Sequence, residues 1–265
     1  MTRRTQWPES VSARLVAILA TFSGERRQLS LTAISRRCGL PMTTTHRLVG
    51  ELATEGLLER DADGRYQVGL RLWQLASLAP RSVGLREQAL PFLEDLYEAT
   101  HQHAQLAVLE GAEPVCLERI SGHEAVPVVS RVGGHLPAHA SGVGLVLLAY
   151  ASHQLQESVL AGGLPRFTEH TVCDSAQLRR RLSEIRRDGF VVSDRAIDLT
   201  TVSVAAPVRG EDDNVIAALS VVVPYGNVAP QTLVPLVRAS ARGMSRRLGA
   251  PSVRLAAAAV RTVTA

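Results

Sequence analysis

Apolar positions recur with a helical period through the first fifty residues and then switch to alternation. Val11, Leu15, Ile18, Leu19 and Phe22 share one face of a helix predicted over 10–23, with Ser10 as its N-cap. The polar run GERRQ breaks the pattern. A second short helix follows in SLTAISRRC, capped by Ser30, with Leu31, Ile34 and Cys38 facing inward and Gly39 at its end. Leu40 is the apolar residue expected inside the turn, and Pro41 suits the first position of a third helix, where a missing N–H costs nothing. That helix runs to about Thr54, burying Leu48, Val49 and Leu52, and Gly56 stops it. In LLERDADGRYQVG the period drops to two: Leu58, an Asp63-Gly64 turn, Tyr66 and Val68 predict a β-hairpin. Three helices, a glycine-containing turn and a hairpin spell a winged helix-turn-helix.

The remainder mixes both periods. LRLWQLASLAP carries an apolar stripe, and GLREQALPFLEDLYEATHQ predicts a helix with Leu85, Ala89, Leu93 and Leu96 in register, Pro80 and Gly84 punctuating between them. This segment reads as a linker helix. Beyond it come a hairpin around Glu110-Gly111, a strand over VPVVSRVG and a buried helix in SGVGLVLLAYAS. An amphipathic helix follows, capped by Asp174 and stopped by Gly189. Then come three strands (FVVSD, TTVSVAAPVRG, VIAALSVVVP) and a closing helix from PQTL to RRLG. Antiparallel strands flanked by helices make the fold class α+β. The expected domains are a winged helix-turn-helix over 1–72, a linker helix over 73–84 and a second domain over 85–250, with 251–265 as a disordered tail.

Charge sharpens the division. Residues 1–84 hold 12 Arg against 7 acids, a net of +5, while residues 85–265 hold 17 Arg against 18 acids, a net of −1; lysine is absent throughout. A basic small domain beside a near-neutral larger one points to an anionic partner for the former. Cys38, Cys116 and Cys173 lie too far apart for a disulfide framework or a metal cluster and fit a reducing cytoplasm. No apolar run is long enough to span a membrane, and no apolar core follows the arginines of MTRRTQWPES to make a secretory signal.

The third helix begins with small polar residues and one arginine directly after a tight turn. A recognition helix presents its first turns to base edges in a major groove. Thr43, Thr44, His46 and Arg47 supply short donors and a guanidinium fork for bases and phosphates, and Arg65 at the hairpin tip would reach a neighbouring phosphate or the minor groove.

These stretches resemble the IclR family of bacterial transcription regulators over about residues 10–248. LTAISRRCGLPMTTTHRLVGELATEGLLERDADGRYQVGLRLWQLAS is similar to its winged helix-turn-helix and linker, LPAHASGVGLVLLAY to the turn and helix that open its ligand pocket, and DGFVVSD with SVAAPVRGEDDNVIAALSVVVP to its closing strands. The resemblance implies a cytoplasmic homodimer or dimer of dimers, a palindromic double-stranded operator, a GAF-like C-terminal effector-binding domain and a small-molecule effector, with no cofactor and no metal. It also implies a repressor of a catabolic operon. By residue matching it puts the effector's polar end on the backbone N–H groups of Gly142 and Val143, with Ser193, Ser203 and Ser220 facing the ligand and Val128, Leu136 and Val222 as apolar wall. Ser193 stands where members that bind small acids have a carboxylate, and Val222 where they have another polar residue. An effector larger or more apolar than a two- or three-carbon acid follows, such as an aromatic acid or a derivative.

Two rival readings bear on function. An enzyme would need a nucleophile or metal constellation: HASGVG lacks the G-x-S-x-G elbow. His135 and His139 flank Pro137, so they do not share a helical face as metal ligands do, and His101 and His103 lie at a helix end. Asp194 and Asp198 have no base or nucleophile placed beside them by spacing. Alternatively the protein binds DNA without a ligand and its larger domain only oligomerises; the single serines inside TVSVAAPV and AALSVVV speak against that.

Overall fold

The structure, a computed structural model, describes residues 10–24 and 26–253, with 80–83 in backbone only. The chain divides into two compact units between Val83 and Gly84.

In the first unit, α1 (Val11–Leu19), α2 (Leu31–Cys38) and α3 (Met42–Thr54) precede the hairpin of β1 (Leu58–Arg60) and β2 (Tyr66–Val68), paired antiparallel with Leu58 opposite Val68. The Ser10 hydroxyl accepts from the Ala13 N–H at 3.1 Å and the Ser30 hydroxyl from the Ala33 N–H at 3.3 Å, so both predicted caps form. Gly39 ends α2 at φ 71°, a left-handed conformation that a side chain would strain. Ile18, Ile34, Leu48, Leu52, Leu58 and Tyr66 make the core. Reciprocal backbone hydrogen bonds between Leu29 and Tyr66 tie the loop before α2 to the hairpin. Three details differ from expectation. Helix α1 stops at Leu19, and Val11 is exposed because the first turn overhangs the core. Pro41 is the N-cap of α3 rather than its first residue. Val68, at the end of β2, is exposed although the pleat puts it on the same face as the buried Tyr66.

Helix α4 (Leu70–Ala76) buries no residue, and α5 runs over Pro80–Thr100. Pro80 and Gly84 therefore sit within the start of α5 and do not punctuate before it: proline is tolerated in a first turn, whose N–H groups have no intrahelical acceptor.

The second unit is built on a five-stranded antiparallel sheet of order β4-β3-β7-β6-β5, comprising β3 (His103–Glu110), β4 (Glu113–Ile120), β5 (Val191–Asp194), β6 (Thr201–Arg209) and β7 (Val215–Pro224). One face carries Val202, Val204, Leu219 and Val221 against α5 and α9 (Pro230–Arg247). The other carries Ala107, Ala205 and Ala218 against α6 (Gly142–Tyr150) and α8 (Ser175–Asp188). Alanines on that face let the wholly apolar α6 approach closely. Helix α7 (His153–Ala161), capped by Ser152, lies outside the elements predicted from sequence. Asp174 and the left-handed Gly189 cap α8 as expected.

The predicted strand over VPVVSRVG is not one. Residues 126–133 form a loop, with Val129 and Val132 exposed. Side chains and isolated backbone bonds hold it where a ladder would: His103 Nε2 bonds the Val126 carbonyl, Arg119 donates to the Ser130 carbonyl, the Gln102 side chain accepts from the Val126 N–H, and Gly133 donates to Cys116. Of the expected tail, residues 251–253 are helical and 254–265 lie outside the described residues.

Candidate functional site

Two surfaces carry the chemistry. On the first unit, α3 follows its turn with a proline N-cap that offers no side-chain acceptor, unlike α1 and α2 with their serines. Its first-turn N–H groups stay available to an anion. The three threonines diverge. Thr45 is fully buried and its hydroxyl donates to the Pro41 carbonyl, fixing the turn; Thr43 is exposed and Thr44 half-buried on the outer face. His46 and Arg47 are exposed beside them. Arg47 pairs with Glu51 one turn on, an exposed contact worth about 0.3–0.5 kcal/mol, so releasing the guanidinium costs little. At the hairpin tip, the Asp61 carboxylate accepts from the Arg65 N–H at 2.8 Å and holds the loop, leaving the exposed Arg65 guanidinium without a partner among the described residues.

The second surface is a cleft in the larger unit. Cross-strand register places two rows of side chains on the sheet face that α6 covers. One runs Arg119, Gln105, Ser220, Ala205, Val191 and the next His103, Val222, Ser203, Ser193. Where α6 starts, its cover ends, and a cleft open to solvent lies over the second row. Ser141 caps α6: its hydroxyl donates to the Pro137 carbonyl and accepts from the Gly144 N–H at 3.0 Å. Among the described residues, nothing accepts from the Gly142 and Val143 N–H groups. Gly142 is required by close approach: a Cβ there would lie 2.5 Å from the Ser203 Oγ.

Of the eight residues matched to the effector by resemblance, Gly142, Ser193, Ser203, Val128, Leu136 and Val222 line this cleft. The Val143 side chain and Ser220 lie outside its lining and are fully buried. The serines differ in what they can still do. Ser193 spends its proton on the Ala140 carbonyl at 2.8 Å, so it is a backbone-bonded core serine. Ser203 and Ser220 have buried hydroxyl oxygens with no partner. Orphaned buried polar atoms are rare and need an explanation.

Sequence reasoning passed over Gln105, Ser130, Asp198 and Thr201 as lining residues. Gln105 Oε1 and Ser130 Oγ are likewise buried without a partner. The signal for Gln105 was present: one amide inside the apolar strand AQLAVL. Burial alone would raise the Asp198 carboxyl, but hydrogen bonds from Thr201 and Thr200 outweigh it and hold the group below its ordinary pKa. Those same bonds occupy the carboxylate, with the Thr201 hydroxyl at 2.6 Å and the Thr200 N–H and hydroxyl at 2.9 and 2.7 Å. No arginine or histidine lines the cleft. The nearby Arg195 is engaged with Asp194 and stacked 3.9 Å from the Tyr225 ring centroid. No cluster of metal-ligating side chains is present among the described residues. His135 pairs with Glu113, and His139 bonds the Pro165 carbonyl, so they do not converge.

Comparison with known proteins matches both units of the chain. Residues 12–62 match the model of the IclR helix-turn-helix domain, and residues 78–246 that of the bacterial transcriptional regulator IclR C-terminal domain. The chain is 30% identical to the HTH-type transcriptional regulator XynR of Escherichia coli, over 90% of this chain and 97% of that one. It is 29% identical to the Pca operon regulatory protein of Acinetobacter baylyi, over 86% and 84%. Among solved structures, an IclR homolog from Microbacterium hydrocarbonoxydans complexed with 4-hydroxybenzoate superposes with a TM-score of 0.85 at 43% identity, covering 90% of this chain and 99% of that one.

Proposed function

The chain belongs to the IclR family of bacterial transcriptional regulators, and on that premise we propose that it is a repressor of a catabolic operon, released from a palindromic operator when an aromatic carboxylic acid enters the cleft. The family is one of transcriptional regulators, not enzymes. The observation that carries the effector assignment is the cleft's inventory: free helix N-terminal amides at one end, an apolar floor at Val222 and unpartnered polar atoms around it. Two amides at a helix start suit one carboxylate. Without an arginine in the lining, they are its main donors. The apolar share of the lining (Val128, Val129, Leu136, Ile197, Val222) suits a ring better than a two-carbon acid. The similar IclR homolog complexed with 4-hydroxybenzoate supports the same class, whereas the 29% identical glycerol operon regulatory protein of Streptomyces coelicolor does not.

Operator binding rests on Thr43, Thr44, His46 and Arg47 on α3 and Arg65 on the wing, with a homodimer supplying two recognition helices. The apolar α4 supports the dimer: Leu70, Trp73 and Leu75 on it and Leu78 just beyond its end stand 54–75% exposed. A patch of that kind marks an interface. The direct experiment is a thermal-shift and operator-release titration of the full chain with benzoate, 4-hydroxybenzoate, glyoxylate and pyruvate, beside expression of the adjacent genes in a deletion strain. Stabilisation and release by an aromatic acid, with derepression in the deletion, is the expected outcome. Response to glyoxylate or pyruvate alone would overturn the effector class. No stabiliser at all would favour a larger unit that only oligomerises.

A further inference from the structure

The polar groups of the cleft fall into two sets separated by a strand. On one side, over β6, stand the α6 amides and Ser203, in contact range through Gly142. On the other side stand Gln105 on β3 and Ser130 on the loop that closes that edge. Strand β7 runs between β6 and β3 and contributes Val222, the partner of Ser203 in register and diagonal to Gln105. Neighbouring strands lie about 4.8 Å apart, so the two sets are separated by roughly 10 Å across an apolar floor. Gln105 is 4% exposed, and its Oε1 is buried with no partner while lining the cleft. Leaving such an amide unpaired carries a desolvation penalty that a bound group can relieve.

We propose that Gln105 selects the far end of the effector, and that the effector is an aromatic monocarboxylate bearing a hydroxyl opposite its acid group. This rests on the aromatic-acid assignment above and adds to it the residue that discriminates among such acids. A hydroxyl both donates and accepts, so it satisfies Gln105 with either face of the amide turned toward it, and Ser130 beside it. No cation lines the cleft, and Arg119, opposite Gln105 in register, is turned to the Ser130 carbonyl, so a second carboxylate buried at that end would gain no direct ion pair. An unsubstituted ring would leave Gln105 Oε1 as it stands, without a partner.

The test is calorimetry on the full chain with benzoate, 4-hydroxybenzoate and terephthalate, in the natural sequence and in Gln105→Met, which keeps length and apolar fit. The natural protein is expected to bind 4-hydroxybenzoate about tenfold or more tighter than benzoate, and terephthalate more weakly than benzoate. Gln105→Met should hold benzoate within about threefold and lose the preference for the hydroxyl. Retained benzoate binding serves as the check that the variant is folded, and Ser130→Ala offers a second, milder probe of the same end. Equal affinity for benzoate and 4-hydroxybenzoate in the natural protein, or a preference unchanged in Gln105→Met, would overturn the role of Gln105 and leave the aromatic-acid assignment intact. Binding of none of the three would overturn both.

Discussion

Gly142→Ala tests the construction of the cleft directly. Nothing in the backbone forbids alanine, since φ at 142 is not positive. What forbids it is the neighbour: the added methyl would lie 2.5 Å from Ser203 Oγ, 3.2 Å from Ser203 Cβ and 3.4 Å from Ala205 Cβ. The first contact overlaps by nearly 1 Å, while the other two are tight to ordinary. Overpacking of this kind costs about 1–3 kcal/mol, offset by about 0.4–1 kcal/mol from the lower entropy of the unfolded chain. A net loss of about 1–2 kcal/mol is expected, or about 2–8 °C in the melting temperature of the larger unit. Because the overlap is with one oxygen, Ser203→Ala should relieve it. That substitution also deletes a hydroxyl that has no partner, so by itself it should be close to neutral. The double variant should recover most of the single variant's loss, a favourable coupling of about 1 kcal/mol. Scanning calorimetry with the two units' transitions resolved separately would measure it. Strictly additive effects, or a Gly142→Ala protein as stable as the natural one, would refute the close approach of α6 to β6.

Further expectations concern the other surfaces. Arg47→Ala should weaken operator binding by about 1–3 kcal/mol if the guanidinium reads a base; anisotropy across a salt series would instead show a uniform loss and a shallower slope for a phosphate contact. Unchanged affinity in the Thr44→Ala, Arg47→Ala double variant would remove α3 from the interface. Trp73→Ser with Leu78→Ser should shift the full chain from dimer toward monomer in light scattering at micromolar concentration, and a natural protein that is already monomeric would reject the α4 interface. His103 is 5% exposed, and burial pushes its pKa below the ordinary 6.5, so the fold holds the neutral ring. Its stabilising contribution is therefore full above pH 6.5 and is lost as pH falls from there through the folded value. Urea midpoints should decline less steeply with acidity in His103→Asn, and identical slopes would count against this. The Cys116 thiol, pushed up to about 11 by burial, should resist alkylation in the folded chain at pH 8, and rapid labelling there would contradict its burial.

What the sequence determined by itself was local. Helices announce themselves through a 3.6-residue period and through caps made by neighbours three positions away, which is why Ser10, Ser30, Asp174, Gly39 and Gly189 stand at the ends where they were expected. Helix α3 was legible for the same reason: Leu48, Val49 and Leu52 turn inward while Thr43 and His46 stay outside, a division that follows from one helical period. The loop over 126–133 was misread because alternating valines satisfy a strand pattern equally well, and only the presence of a paired neighbour makes a strand. Here the sheet ends at β4, and side chains from His103 and Arg119 take up the loop's carbonyls instead. The cleft belongs to the same class of fact. Ser193 and Ser203 look alike in the chain, yet one hydroxyl meets the Ala140 carbonyl and the other meets nothing. Gln105 joins them only because antiparallel register brings residues far apart in the chain onto one face. Composition can place an amide in an apolar strand, but which partner it lacks is decided by the packing around it.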